Sequence, residues 1–163
     1  MDPHLYLTNM PTPQPPSTPR RISIPKTKAT IIPSTYTTTK PPESFPTTAN
    51  GTLTWHTLIS QPQTPTSDLS AGIAVCPPRT GHLCPHRHVQ AEIYHILEGV
   101  GEVTIDGVVN KVEAGSTVFI PGDAEHGVVN TGLEDLRWFY VFPTGAFGDV
   151  VYRFEEGKRL AKL

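Results

Sequence analysis

Residues 81–99 read G-H-L-C-P-H-R-H-V-Q-A-E-I-Y-H-I-L-E-G, and residues 115–130 read G-S-T-V-F-I-P-G-D-A-E-H-G-V-V-N. Side chains on a β-strand alternate between faces with period two, so His86 and His88 point the same way and can hold one ion together. Extended chain from His88 to Glu92 would cover roughly 13 Å, far more than two metal–ligand bonds of about 2.1 Å each. The backbone must therefore reverse near Val89, Gln90 and Ala91, giving a hairpin with ligands on both arms. His126, in the second stretch, supplies a third imidazole. His86, His88, Glu92 and His126 are the candidate metal ligands.

These two stretches resemble the paired motifs of the cupin superfamily. The first motif, glycine, spacer, His-x-His, a short gap, Glu and a closing glycine, looks like Gly81 through Gly99. The second, glycine, five residues, Pro-x-Gly, His and Asn, looks like Gly115 through Pro121 and His126 to Asn130. Two departures concern turns: the spacer from Gly81 to His86 is one residue short, and Gly122 directly follows Pro121. The resemblance covers residues 81–130 directly and implies an all-β, single-domain jelly-roll barrel with the ligand site in its mouth. It implies little about the reaction, because one fold hosts many chemistries.

Composition fits one such domain. The chain has 163 residues, 37% of them hydrophobic, enough for one real core, and a formal net charge of −2. No Lys/Arg stripe could follow a phosphate backbone, so nucleic acid is not an expected partner. No apolar run is long enough to cross a membrane as a helix, and the N-terminus lacks a basic start and an apolar core, so a cytoplasmic protein is expected. Two cysteines, Cys76 and Cys84, are too few for a disulfide framework and are expected as thiols. Cys84 shares the parity of His86 and His88 and could face the same cavity, unless Pro85 breaks the register.

The composition changes near residue 50. Residues 1–50 hold 11 of the 18 prolines, which remove amide donors and block helix, so an extended or disordered Pro/Thr-rich arm is the expectation there. Residues 21–24 and 29–32 carry β-branched residues suited to adding onto a sheet edge of the same or a second subunit; a homodimer is expected on that basis. Residues 51–163 form the barrel domain. Short alternating runs bounded by Gly, Pro, Asn and Asp predict strands at 52–59, 70–76, 83–88, 91–98, 101–106, 108–113, 116–120, 125–130, 136–142 and 149–154, with a short helix over 155–162. Asp106-Gly107 is suited to the type I′ turn of a tight hairpin.

Three imidazoles and one carboxylate suit a single divalent transition metal: iron first, with Mn, Ni, Co or Zn as alternatives. In an octahedral ion they leave two positions open, which favours catalysis over a closed structural site. Parity places Gln90 and Tyr94 beside Glu92, with Tyr94 a candidate acid/base and Gln90 a candidate substrate contact. Trp138, Tyr140 and Phe142 alternate onto one strand face and could wall a pocket for a small oxygenated molecule, or be plain core. His95 points the other way, and His82 precedes the ligand strand. Three functions follow. The leading expectation is a dioxygenase binding an enol, enediol or phenol and dioxygen on the metal. The second is a non-redox isomerase, lyase or cyclase using Lewis-acid activation with Tyr94 moving the proton; the third is a metal-independent binding module.

Overall fold

The computed structural model describes residues 27–154. Eleven strands run through this region: β1 (Glu43–Ser44), β2 (Thr54–Ile59), β3 (Ser70–Cys76), β4 (His82–Arg87), β5 (Glu92–Glu98), β6 (Val100–Ile105), β7 (Val108–Glu113), β8 (Thr117–Ile120), β9 (His126–Asn130), β10 (Leu136–Phe142) and β11 (Arg153–Phe154). They form two antiparallel sheets, β1-β2-β3-β10-β5-β8 and β11-β4-β9-β6-β7. The all-β jelly-roll expected from the sequence is what forms.

Local chemistry fixes the turns that place these strands. Asp106 and Gly107 both adopt positive φ, 46° and 81°, and join β6 to β7 in a hairpin whose register runs from Ile105↔Val108 to Val100↔Glu113. This is the type I′ geometry that matches strand twist. At Gly99, where the chain leaves β5 in one sheet and enters β6 in the other, φ is +83°, and a Cβ would lie 2.4 Å from the Asp135 carbonyl oxygen. Only glycine fits that crossing.

The core sits between the sheets and follows period two. On β10, Leu136, Trp138, Tyr140 and Phe142 are buried while Arg137, Phe139 and Val141 face outward. Tyr94 and Ile96 of β5, Val103 of β6, Val128 of β9 and Ile120 of β8 complete the apolar interior. Each such side chain, fully buried, contributes about 1.5–3 kcal/mol by removing apolar surface from water.

Strand β4 departs from simple parity. Its ladder to β9 pairs His82↔Val129 and Leu83↔Val128, then shifts register before His86↔His126. The irregularity at Cys84-Pro85 lets Leu83 and His86, an odd number of residues apart, both point inward. The register break at Pro85 that the sequence allowed for is present, so Cys84 is a small buried side chain outside the ligand cavity: its thiol donates to the Ala49 carbonyl at 3.1 Å, and Leu83 lines the cavity instead. Neither cysteine forms a disulfide.

At the N-terminal side, residues 29–32 form no strand, and residues 21–24 lie outside the described region. The edge pairing is made by β1, through Glu43↔Trp55 and Ser44↔Thr54. A one-turn helix α1 (Tyr36–Thr39) precedes it. His56 Nε2 bonds the Lys40 carbonyl at 3.0 Å, and the Thr57 amide donates to Glu43 Oε1 at 2.9 Å. At the C-terminal side, the strand expected over 149–154 is a 3₁₀ turn (Phe147–Asp149) followed by the short β11, which pairs with β4. The helix expected over 155–162 lies outside the described residues.

Candidate metal centre

His86 is the penultimate residue of β4, His88 lies just beyond that strand, Glu92 opens β5 and His126 opens β9. The Val89–Ala91 reversal and the His86↔His126 ladder pair bring them to one point. The three imidazoles present ligand atoms within 4.8 Å of one another, and Glu92 Oε2 lies 3.3 Å from His88 Nε2 and 3.4 Å from His126 Nε2. All four side chains are at most 2% exposed. Two ligands at right angles on an ion with bonds of about 2.1 Å would stand about 3 Å apart, close to the carboxylate–imidazole distances.

The rings are held by main chain. Nδ1 of His86 donates to the Cys84 carbonyl at 2.9 Å, Nδ1 of His88 to the Gln90 carbonyl at 2.8 Å, and Nδ1 of His126 to the Ala124 carbonyl at 3.0 Å. A proton on each Nδ1 leaves a lone pair on each Nε2, aimed at the centre. Burial, followed by the proximity of His126, drives the His86 pKa well below the usual imidazole value, which favours the neutral, ligating form. Nε2 of His86, His88 and His126 and Oε2 of Glu92 are buried without a hydrogen-bond partner. A buried polar atom left unsatisfied costs about 1–3 kcal/mol, and four converging on one point are what a divalent cation would satisfy. The donor set therefore fits a metal ion.

Above the ligands lies a cavity with only about 20 Å³ for water centres, walled by Phe45, Leu53, Trp55, Ala74, Leu83, Glu92, Tyr94, Trp138, Tyr140, Phe147 and Tyr152. Tyr94 is buried and hydrogen-bonds Glu92; burial first, then the Glu92 charge, raises its pKa well above the ordinary phenol value. Trp138 and Tyr140 line the cavity. Phe142 stands edge-on against His88, centroids 5.1 Å apart, and acts as a prop for that ring. Gln90 reaches away from the cavity wall, its Nε2 donating to the Asp149 carbonyl at 3.1 Å. His95 faces outward and bonds Thr117 Oγ1 at 3.0 Å, while His82 Nδ1 bonds the Thr80 carbonyl at 2.9 Å.

Sequence reasoning missed Tyr152, Phe45 and Trp55, while Phe147, which the sequence left open between pocket wall and plain core, lines the cavity. Tyr152 stacks on His86 at 4.6 Å with planes 22° apart, and burial raises its pKa well above the phenol value. Phe45 packs against Trp55, Tyr152 and Phe154 at 5.0, 5.6 and 5.5 Å. No periodic signal marked Phe45 or Tyr152, which adjoin strands of two residues, and in β2, which holds Trp55, burial does not alternate. A larger open groove of about 510 Å³ runs along β6 and β7 beside Glu102, Lys111 and Glu113. It contains none of the four converging ligands, so the chemistry points to the small cavity.

A two-sheet jelly-roll in which three imidazoles and a carboxylate converge as a group able to hold a metal ion has the architecture of a cupin, and the family model described as a cupin domain matches residues 72–142. The chain belongs to the cupin family. It is 48% identical over 105 residues to the dimethylsulfoniopropionate lyase DddW of Ruegeria pomeroyi, a match spanning 64% of this chain and 67% of that protein. Among solved structures it resembles the polyketide cyclase RemF of Streptomyces resistomycificus, with a TM-score of 0.64 and 20% identity, covering 79% of this chain and 89% of that one. It also resembles a chain from the crystal structures of the DMSP lyases RdDddP and RnDddQII, with a TM-score of 0.59 and 19% identity over 71% of this chain and 62% of that one. The two structural likenesses show the fold. Among the described residues no helix is long and apolar enough to cross a membrane.

Proposed function

We propose that the chain is a metal-dependent lyase that removes a proton and a neutral leaving group from a small onium carboxylate of the dimethylsulfoniopropionate type. The observation that carries this reading is the placement of Tyr94 on Glu92 inside an aromatic cavity, in a chain 48% identical to a lyase of that substrate. The relatives' lyase and cyclase chemistry favours this non-redox reading over the dioxygenase expected first from the ligand set.

His86, His88, Glu92 and His126 would hold the ion. When bound, it would supply Lewis acidity, drawing charge from a carboxylate oxygen and making the neighbouring C–H bond more acidic. The remaining steps belong to the protein. Rings of Phe45, Trp55, Trp138, Tyr140, Phe147 and Tyr152 wall the cavity, with no Lys or Arg among the lining residues. Aromatic faces attract an onium cation. That cation opposes the Glu92 charge and favours the Tyr94 phenolate, the phenol proton going to solvent. Tyr94 then takes the proton from the carbon beside the carboxylate. The C–H electron pair becomes the new C=C bond, the C–S bond breaks, and dimethyl sulfide departs with that bond's electrons, leaving acrylate.

The test is direct: metal-loaded protein incubated with dimethylsulfoniopropionate, acrylate followed by NMR and dimethyl sulfide by gas chromatography, with dissolved oxygen monitored. Equal amounts of both products without oxygen uptake are expected. Oxygen consumption stoichiometric with substrate loss would restore the dioxygenase reading, and no conversion of this substrate would remove the assigned substrate class.

A further inference from the structure

The cavity over the ligand cluster has about 20 Å³ for water centres, space for little more than one water molecule. All four converging ligands are at most 2% exposed. An organic substrate cannot occupy this cavity, and neither ion nor substrate can reach it, until part of the wall moves. The wall is held unevenly. Tyr94 and Trp138 sit on β5 and β10, strands joined by a ladder of five register pairs, and β10 continues into seven more with β3. Phe45 sits beside the short β1, but its segment is tied down by the Thr57 amide to Glu43 and by His56 to the Lys40 carbonyl.

The C-terminal segment has less. β11 pairs with β4 at two positions, Arg153↔Arg87 and Phe154↔His86. Among the described residues, its other ties are an ion pair between Arg153 and Asp123, both more than half exposed, the bonds from Gln90 and Thr144 to the adjoining Asp149, and ring contacts of Tyr152 and Phe154 with Phe45, Phe147 and His88. Exposed ion pairs of this kind contribute little to stability. Yet this weakly held segment carries Tyr152, stacked on His86, and Phe154, 5.4 Å from His86.

We propose that residues 150–154 are the gate of the site: they lift from β4, carrying Tyr152 off His86, to admit ion and substrate, and Arg153 with Asp123 is the latch that returns them. Because metal exchange needs the same opening, this inference goes beyond the lyase reading and does not depend on it.

The test locks the gate reversibly. Paired positions on antiparallel strands hold their Cα atoms about 4.5–5.5 Å apart, within the span of a disulfide, so an Arg87→Cys/Arg153→Cys chain can be cross-linked across β4 and β11. The full-length protein is loaded with Zn(II), and the rate of zinc loss to a chromogenic chelator is measured oxidised and after reduction. Oxidation is expected to slow zinc loss by about tenfold or more, with full recovery on reduction. Equal rates in the two states would overturn the gate. Should the disulfide not close, Arg153→Ala decides: zinc loss faster by about threefold or more, with raised hydrogen exchange over residues 150–154, is expected, and an unchanged rate overturns the latch. Turnover of dimethylsulfoniopropionate by the same oxidised and reduced protein is read separately. A gated zinc rate without any turnover would leave the gate standing and remove only the lyase reading.

Discussion

The floor and the roof of the cavity are built to opposite specifications. In the floor, His86, Glu92 and His126 stand at the ends of strands paired across several register positions, and each imidazole, His88 included, is pinned by a backbone carbonyl. In the roof, Tyr152 and Phe154 adjoin or belong to the two-residue β11 and are held chiefly by ring-to-ring packing, against Phe45 among others. A set of ligands gains from rigidity, because a misplaced donor loses the ion. A cover over a closed cavity gains from weak attachment, because it has to open. Low-stability elements are where access motions are found.

The largest way to break the floor is to remove an imidazole. His126→Ala and His88→Ala are each expected to lose most bound metal by elemental analysis, and turnover by about a thousandfold or more, since the chemistry depends on the ion. A variant that keeps its metal and its rate would refute the ligand assignment. Next comes Tyr94→Phe, for which turnover should fall by about 10²–10⁴-fold, the usual weight of a positioned acid/base, with metal content unchanged. Loss of metal in parallel would turn Tyr94 from a proton carrier into a packing residue.

Trp138→Ala strikes the wall between floor and roof. Trp138 is 2% exposed and packs on Tyr94 at 5.4 Å, so a stability loss of about 3–5 kcal/mol is expected by denaturant titration; a loss under about 1 kcal/mol would mean the core can collapse around it. The smallest effect concerns Cys76, which is fully buried, with burial pushing its thiol up to about 12 from 9.0. The unfolded chain loses this proton more readily than the folded one. The linked stability is therefore intact below pH 9.0 and declines as pH rises toward about 12,. Cys76→Ser should flatten that alkaline decline in thermal melts, and an unchanged slope would assign it to other groups.

The floor was legible in the sequence and the roof was not, for a physical reason. Period-two alternation fixes which way Trp138, Tyr140 and Phe142 point, and Asp106-Gly107 names its own turn,. His86, His88, Glu92 and His126 could be grouped because their residue types share one chemistry. Phe45 and Tyr152 announce themselves by neither route: a two-residue strand has no period, and an aromatic ring beside a proline-rich stretch looks the same whether it faces solvent or a metal. Within β4, the break that Pro85 made foreseeable shifts the register and turns Cys84 away from the cavity. Nor did the ligand types choose between oxygen chemistry and elimination.

The carbonyls that orient the three imidazoles come from Cys84, Gln90 and Ala124, each two positions from its histidine. Had side chains done this, three further positions would be chemically committed. Because every residue type offers the same carbonyl, those positions are released for other uses: a thiol tied to Ala49, an amide tied to Asp149, and a small methyl group. The orientation of the ligands is thus insulated from drift in the neighbouring side chains. A mutational scan of positions 84, 90 and 124 would find metal affinity sensitive to backbone geometry and nearly indifferent to side-chain polarity.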